Sequence, residues 1–186
     1  MSPDGWVMTA DHIGAAGGGF EPQRANNFML ELTPPGGDGR IIQQSLSEFP
    51  FPKEASEEIA IPYINEIRKV AGRTTYEDLD LVLNDYVDQD TAAQIEGWRR
   101  LVYVPEAGAA GPAAPGGGES GSVGWAKDYK VDGSLILFGP DGTVERTWTL
   151  VGVWPKAFNM GSGSMEGSER VKITCTLAID KMYRAV

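Results

Sequence analysis

The chain has 186 residues, with 16 basic against 26 acidic side chains and a formal net charge of −10. That length supports one compact domain with a real core, and the acidic balance argues against binding DNA through its phosphates, which takes lysine and arginine. The charge leaves two readings, plain solubility or a like-charged surface along which DNA slides without adhering.

One cysteine, Cys175, and one histidine, His12, exclude an intrachain disulfide framework and the usual ligand set of a zinc site. No cofactor or metal is expected. Residues 1–20 carry Asp4 and Asp11 with neither the basic nor the apolar region of a signal peptide. No run approaches the ~20 apolar residues of a membrane helix. The expectation is synthesis in the cytoplasm, solubility until assembly and no membrane insertion.

In chain order, residues 1–23 read as a flexible or partner-ordered arm holding Gly14, Gly17, Gly18 and Gly19. Asn27 to Thr33 alternates, with Phe28, Leu30 and Leu32 on one face, and predicts a strand. Pro34 to Gly39 is a loop. Arg40 to Phe49 is expected as a second strand, broken by Pro50 and Pro52. Glu57 to Val70 is ambiguous: Ile59, Ile61 and Tyr63 fit a strand, while Ile64, Ile67 and Lys69 also fit a helical turn. A strand with an irregularity after Pro62 is preferred, closed by a turn at Ala71-Gly72. Tyr76 to Asp85 predicts a strand with Leu79, Leu81 and Leu83 inward, which sends Asp78 and Asp80 to the opposite face.

One helix follows. Thr91 and Gln94 have capping-box spacing, Asp88 and Asp90 lie near the N-terminus, and Ile95, Trp98 and Val102 share a face. Pro105 ends it. Residues 105–124 hold fifteen Gly, Ala or Pro among twenty and read as a long flexible loop within a single domain spanning 1–186.

The end of the chain is the most informative. Ser134 to Phe138, the turn Gly139-Pro140-Asp141-Gly142, and Thr143 to Leu150 specify a β-hairpin, because proline fixes φ and Asp-Gly accepts the turn. Trp148, Leu150 and Trp154 share a parity with Val144 and are expected to face the core, with the strand stopping at Pro155. Gly161 to Ser164 is a loop, and Arg170 to Asp180 is a closing strand with Cys175 as a small core residue. The class is mainly β: an antiparallel barrel or sandwich with one flanking helix and long loops.

No motif carries catalysis. Gly116 to Gly121 matches G-x-G-x-x-G without the strand and helix that a dinucleotide site needs. The chain lacks G-x-S-x-G, and a lone His12 argues against a triad. Glu77, Asp78, Asp80, Asp85, Asp88 and Asp90 form an acidic run without calcium-loop spacing. The run favours a solvated strand face and helix start over the paired carboxylates of glycoside hydrolysis. A third use exists: copies closing into a ring with that face inside would line a bore with acid.

The block Ala71-Gly72-Arg73-Thr74-Thr75-Tyr76-Glu77-Asp78-Leu79 resembles a signature of the tail tube proteins of contractile-tailed phages. A second block adds to the resemblance: Tyr129-Lys130, Gly133 to Phe138, Pro140-Asp141-Gly142, Trp148-Thr149-Leu150 and Val153-Trp154-Pro155-Lys156. The resemblance spans roughly residues 24–183; the glycine-rich arm and the Gly/Ala/Pro tract depart from it. It implies a structural, non-enzymatic subunit. Homohexameric rings would stack head to tail into a tube within a virion tail, assembled in the host cytoplasm. The implied partners are the tail sheath, tape measure protein, baseplate and tail terminator, with double-stranded DNA passing through the lumen without specific binding. Asp78 and Asp80 are the lumen candidates. The haemolysin-coregulated protein of type VI secretion is related in fold. The alternatives are therefore a tube subunit of a secretion or extracellular injection system and, more distantly, a β-sandwich glycan-binding or hydrolase domain.

Overall fold

The computed structural model describes residues 23–105, 121–163 and 170–185. The arm 1–22 with His12, most of the Gly/Ala/Pro tract (106–120) and residues 164–169 lie outside them.

The first strand, β1 (Phe28–Leu32), forms where alternation predicted it, with Leu30 and Leu32 buried. The expected strand over 40–49 is half helix: α1 covers Gly39–Ser45 and only Leu46–Glu48 is strand, β2. The cause is local. The Asp38 side chain accepts the Arg40 N–H at 2.9 Å and caps α1. One turn then places Ile42 and Ser45 together in the interior.

The region 54–76 forms a two-stranded hairpin, β3 (Glu54–Tyr63) and β4 (Glu66–Tyr76), joined at Ile64-Asn65. The expected turn at Ala71-Gly72 instead lies inside β4. There the register shifts between Ser56 and Glu58, and a Cβ added at Gly72 would lie 3.1 Å from the Ile59 side chain and 3.2 Å from the Glu57 carbonyl oxygen, leaving little room for a side chain.

Next comes β5 (Leu79–Asn84), with Leu79, Leu81 and Leu83 buried as expected. The helix α2 (Thr91–Val102) presents Ile95, Trp98 and Val102 inward, also as expected, but its cap differs. Asp90 at φ 44° accepts the Ala93 N–H. Thr91 is buried against the Ser45 hydroxyl at 3.0 Å, and the Gln94 side chain accepts the Asp38 N–H at 3.2 Å. The two supposed capping residues thus tie α2 to α1. A short helix, α3 (Ala126–Tyr129), follows, and the Tyr129 carbonyl accepts the Trp98 indole N–H at 2.7 Å.

The C-terminal hairpin pairs β6 (Val131–Phe138) with β7 (Val144–Asn159). Its turn is closed by a Gly142 N–H to Gly139 carbonyl bond of 3.1 Å. The Asp141 carboxylate accepts from the Thr143 hydroxyl and N–H, and these bonds hold its pKa below the ordinary value. The last strands are β8 (Lys172–Ala178), which buries Ile173, Cys175 and Leu177, and β9 (Lys181–Arg184), which the periodicity did not reveal.

One antiparallel sheet runs β1-β6-β7-β8-β5-β2, with β9 on β7, and curls into a half-barrel. The curl is made by β7, which pairs with β6 and β9 in its first part and with β8 in its second. The change falls at Gly152, at φ 67°. That residue also breaks the expected parity: Leu150 is buried, but Val153 takes the next core position and Trp154 is only half-buried, edge-on to Tyr129. Val144 is exposed, and β7 runs through Pro155 to Asn159, because Pro155 sits at a bulge against β8. The core lies inside the curl, between β1, β5, β7 and β8 and the apolar faces of α1 and α2.

A Gly152→Ala substitution should destabilise the fold by ~2 kcal/mol or more, read from urea unfolding. The added Cβ would meet the Asp180 carboxylate, and the left-handed backbone disfavours any side chain.

Candidate functional site

Among the described residues no cluster of three or more His, Cys, Asp or Glu side chains is placed to hold a metal, and no helix is long and apolar enough to cross a membrane. The candidate functional features are surfaces.

The predicted lumen residues lie side by side on the solvent face of the β5–β8 pair. Asp80 stands opposite Thr176 and accepts its hydroxyl at 2.7 Å. Asp78, just before β5, is ion-paired with Lys156 at 2.5 Å. On the same sheet Lys172 pairs with Glu48 at 3.1 Å. The face is therefore mixed in charge, and its cations sit where β7 and β8 place them beside the carboxylates. Asp85, Asp88 and Asp90 fall in the β5–α2 connection instead, and Asp90 caps the helix. The acidic run thus divides between a strand face and a helix start.

Cys175 is buried, and burial pushes its thiol from 9.0 up to about 12; Arg99 nearby opposes the shift and Asp80 adds to it. A thiol held protonated in this way is a packing group, not a nucleophile.

The most exposed feature is the β3–β4 hairpin. Among the described residues its two strands pair only with each other, and nearly every residue from 54 to 76 is open to solvent. Cross-strand pairing puts Ile59 and Val70 on one face with Ile61, Tyr63 and Arg68, whose guanidinium lies 4.7 Å from the Tyr63 ring centre. The opposite face carries Pro62 beside Ile67 and a Glu58–Lys69 ion pair. A lone two-stranded ribbon is marginal in water, and this one presents apolar surface that the other described residues leave uncovered. Sequence periodicity identified Ile59, Ile61 and Tyr63 as strand residues. It could not show that no other described element packs on them, although a hydrophobic alternation on both sides of Ile64-Asn65 was a usable hairpin signal.

The sheet also ends openly. Among the described residues β1 and β2 are its two terminal strands, and β9 has a single neighbour. Beside β1 lies an open cavity of about 440 Å³, lined by Ala25, Asn26, Phe28, Met29 and Leu30 together with Gln43, Leu46 and Ser47 of α1 and β2.

No family model matches the chain, and no curated protein does. Solved structures do match its fold, the fold of tube and tube-terminator components of contractile injection systems. A chain of the anti-feeding prophage tube-terminating cap is similar with TM-score 0.65 and 14% identity, over 89% of this chain and 92% of that one. A chain of the sheath/tube terminator of an extracellular contractile injection system in its extended state gives 0.63 and 11%, over 89% and 98%. One from the sheath–tube complex of such a system gives 0.63 and 12%, over 89% and 92%. The likeness is one of fold at low identity, and these neighbours are structural components.

The Cys175 environment makes a pH prediction. The unfolded thiol ionises near 9.0 while the native one stays protonated to about 12, so ionisation favours the unfolded chain in that window. Stability should be constant with respect to this group below pH 9 and fall as pH rises toward 12, and Cys175→Ala should remove that component in urea titrations at pH 8 and pH 10.5.

Proposed function

We propose that this chain is a structural subunit of the inner tail tube of a contractile phage tail. Hexameric rings of it stack into a hollow tube that conducts double-stranded DNA, surrounded by a sheath and bounded by a baseplate, a tape measure protein and a terminator. The whole chain acts as one tube domain, with 1–23 and 105–124 as appendages of it.

The observation that carries the reading is the combination of open sheet ends and an exposed apolar hairpin in a fold shared with tube components. Open strand edges aggregate unless they are paired or covered. Ring closure covers the edges, and a head-to-tail contact through the hairpin polymerises rather than closes. The acidic net charge is consistent with a bore that does not hold DNA. Asp80 is the stronger lumen candidate, since Lys156 partly neutralises Asp78.

A second reading is a tube subunit of an extracellular contractile injection system that carries protein cargo. Its support is that the sheath–tube complex similar in fold belongs to such a system.

Negative-stain electron microscopy of the chain made with its full gene cluster tests both readings. Hollow six-fold rings or tubes containing it are expected. A chain that stays monomeric there refutes both, and the packaged contents distinguish DNA from protein. If the β5–β8 face lines the bore, Asp80→Lys tubes should retain DNA at low salt and release it as salt rises, whereas wild-type tubes should retain none at either salt.

A further inference from the structure

The solvent face of β2, β5, β8 and the second part of β7 carries charge in an ordered way. Its strands hold two cations, Lys156 on β7 and Lys172 on β8. Each pairs with a carboxylate two strands away. Lys156 crosses β8 to Asp78, at the start of β5, at 2.5 Å, and Lys172 crosses β5 to Glu48 on β2 at 3.1 Å. Neighbouring strands lie about 4.8 Å apart, so each lysine stem is stretched over the strand between. The register shift between Pro155 and Ala157 makes the first crossing possible, because it leaves Lys156 and Ala157 both exposed while Pro155 is buried. Such pairing is not general in this chain: Lys127 and Lys181, outside these strands, have no carboxylate partner among the described residues. The third carboxylate of the face, Asp80, accepts the Thr176 hydroxyl. The face therefore has both lysines matched and one carboxylate in surplus.

We propose that Asp78 and Glu48 mask Lys156 and Lys172, so that this face offers no free cation to a phosphate backbone passing over it. The inference rests on the reading above, in which this face lines a DNA-conducting bore, and adds which residues keep it from holding its cargo. A phosphate backbone is retained by the lysines and arginines that neutralise it. A lysine already beside a carboxylate gains little from a phosphate, which meets the repulsion of the carboxylate at the same place. The four side chains are 38% to 65% exposed, so each bond by itself is weak. Masking does not need a closed bond. A carboxylate that swings away remains within the screening length of roughly 8 Å at physiological salt and still cancels most of the lysine's field. The lysines in turn keep Asp78, Asp80 and Glu48 from repelling one another on one sheet.

The test compares wild type with three variants of the full chain. Asp78→Asn with Glu48→Gln removes the masks. The same pair with Lys156→Met and Lys172→Met removes the lysines as well. Asp85→Asn with Asp88→Asn takes the same two charges from the β5–α2 connection, off this face. First, the purified chain is titrated with inorganic tripolyphosphate and followed by NMR. The unmasked variant should bind about tenfold or more tightly than wild type, with shifts centred on Lys156 and Lys172, and the other two should behave as wild type. Second, tubes made with the full gene cluster are assayed for retained double-stranded DNA. Unmasked tubes should hold DNA at low salt and release it as salt rises, and all the others should hold none. Equal titrations of the unmasked and wild-type chains overturn the inference. An equal gain in Asp85→Asn with Asp88→Asn overturns it too, because net charge would then be the cause. Unmasked tubes that stay free of DNA after a positive titration show that this face does not line the bore, which also overturns it. If wild type forms no tube, the assembly reading falls, and the titration alone decides whether the lysines are masked.

Discussion

The structure depends on one bend. β7 is a 16-residue strand that belongs to both halves of the sheet, and Gly152 is where it passes from one to the other. Its N–H donates to the Asp132 carboxylate at 2.9 Å. Its missing side chain leaves room for Asp180, which is also bound by Lys130. The Asp180 N–H in turn bonds the Val151 carbonyl. Polar groups thus surround the bend and satisfy it where the ladder is interrupted. Without the bend, β8 and β5 could not fold back over β1 and α2, and the leucines of β5 would have no interior to enter.

Once the sheet is curled, the remaining elements have few choices. α2 closes the interior with Ile95, Trp98 and Leu101, and the Trp98–Tyr129 bond pins α3 at its flank. α1 fills the space near the open end and is tied to α2 by Ser45–Thr91 and by Asp38–Gln94. Among the described residues the curl stops short of closure, which leaves β1 and β2 as terminal strands with an open cavity beside them. A closed barrel would have no such ends. The unfinished sheet and the projecting hairpin are two forms of one property: edges and apolar surface that the other described residues leave unpaired. A well-packed core thus coexists with Ile59, Ile61, Tyr63, Ile64 and Ile67 in solvent.

Local pattern was enough to determine several things. Strict alternation in 79–83 and 173–177 defined two buried strands and the place of Cys175. Pro-Asp-Gly chemistry defined the β6–β7 turn, and the spacing of Ile95, Trp98 and Val102 defined α2. In each case neighbours within a few residues carry the signal, and the core only reinforces it. The sidedness of Asp80 followed from the same alternation.

Other features were decided by tertiary structure. Residues 40–49 alternate plausibly as a strand, but capping by Asp38 and the burial of Ile42 and Ser45 against α2 make most of them helical. Gly152 reverses the parity of β7, so Val153 rather than Trp154 enters the core, a consequence of joining two sheet halves that no window of sequence contains. Thr91 and Gln94 match a capping box, yet distant partners on and beside α1 claim both side chains. Lys156 reaches Asp78 across 78 residues of chain, and that pairing changes the charge of a face whose carboxylates alone were legible. The exposure of the β3–β4 hairpin is the plainest case: its apolar residues look like core residues in sequence, and only the tertiary structure shows that no other described element covers them.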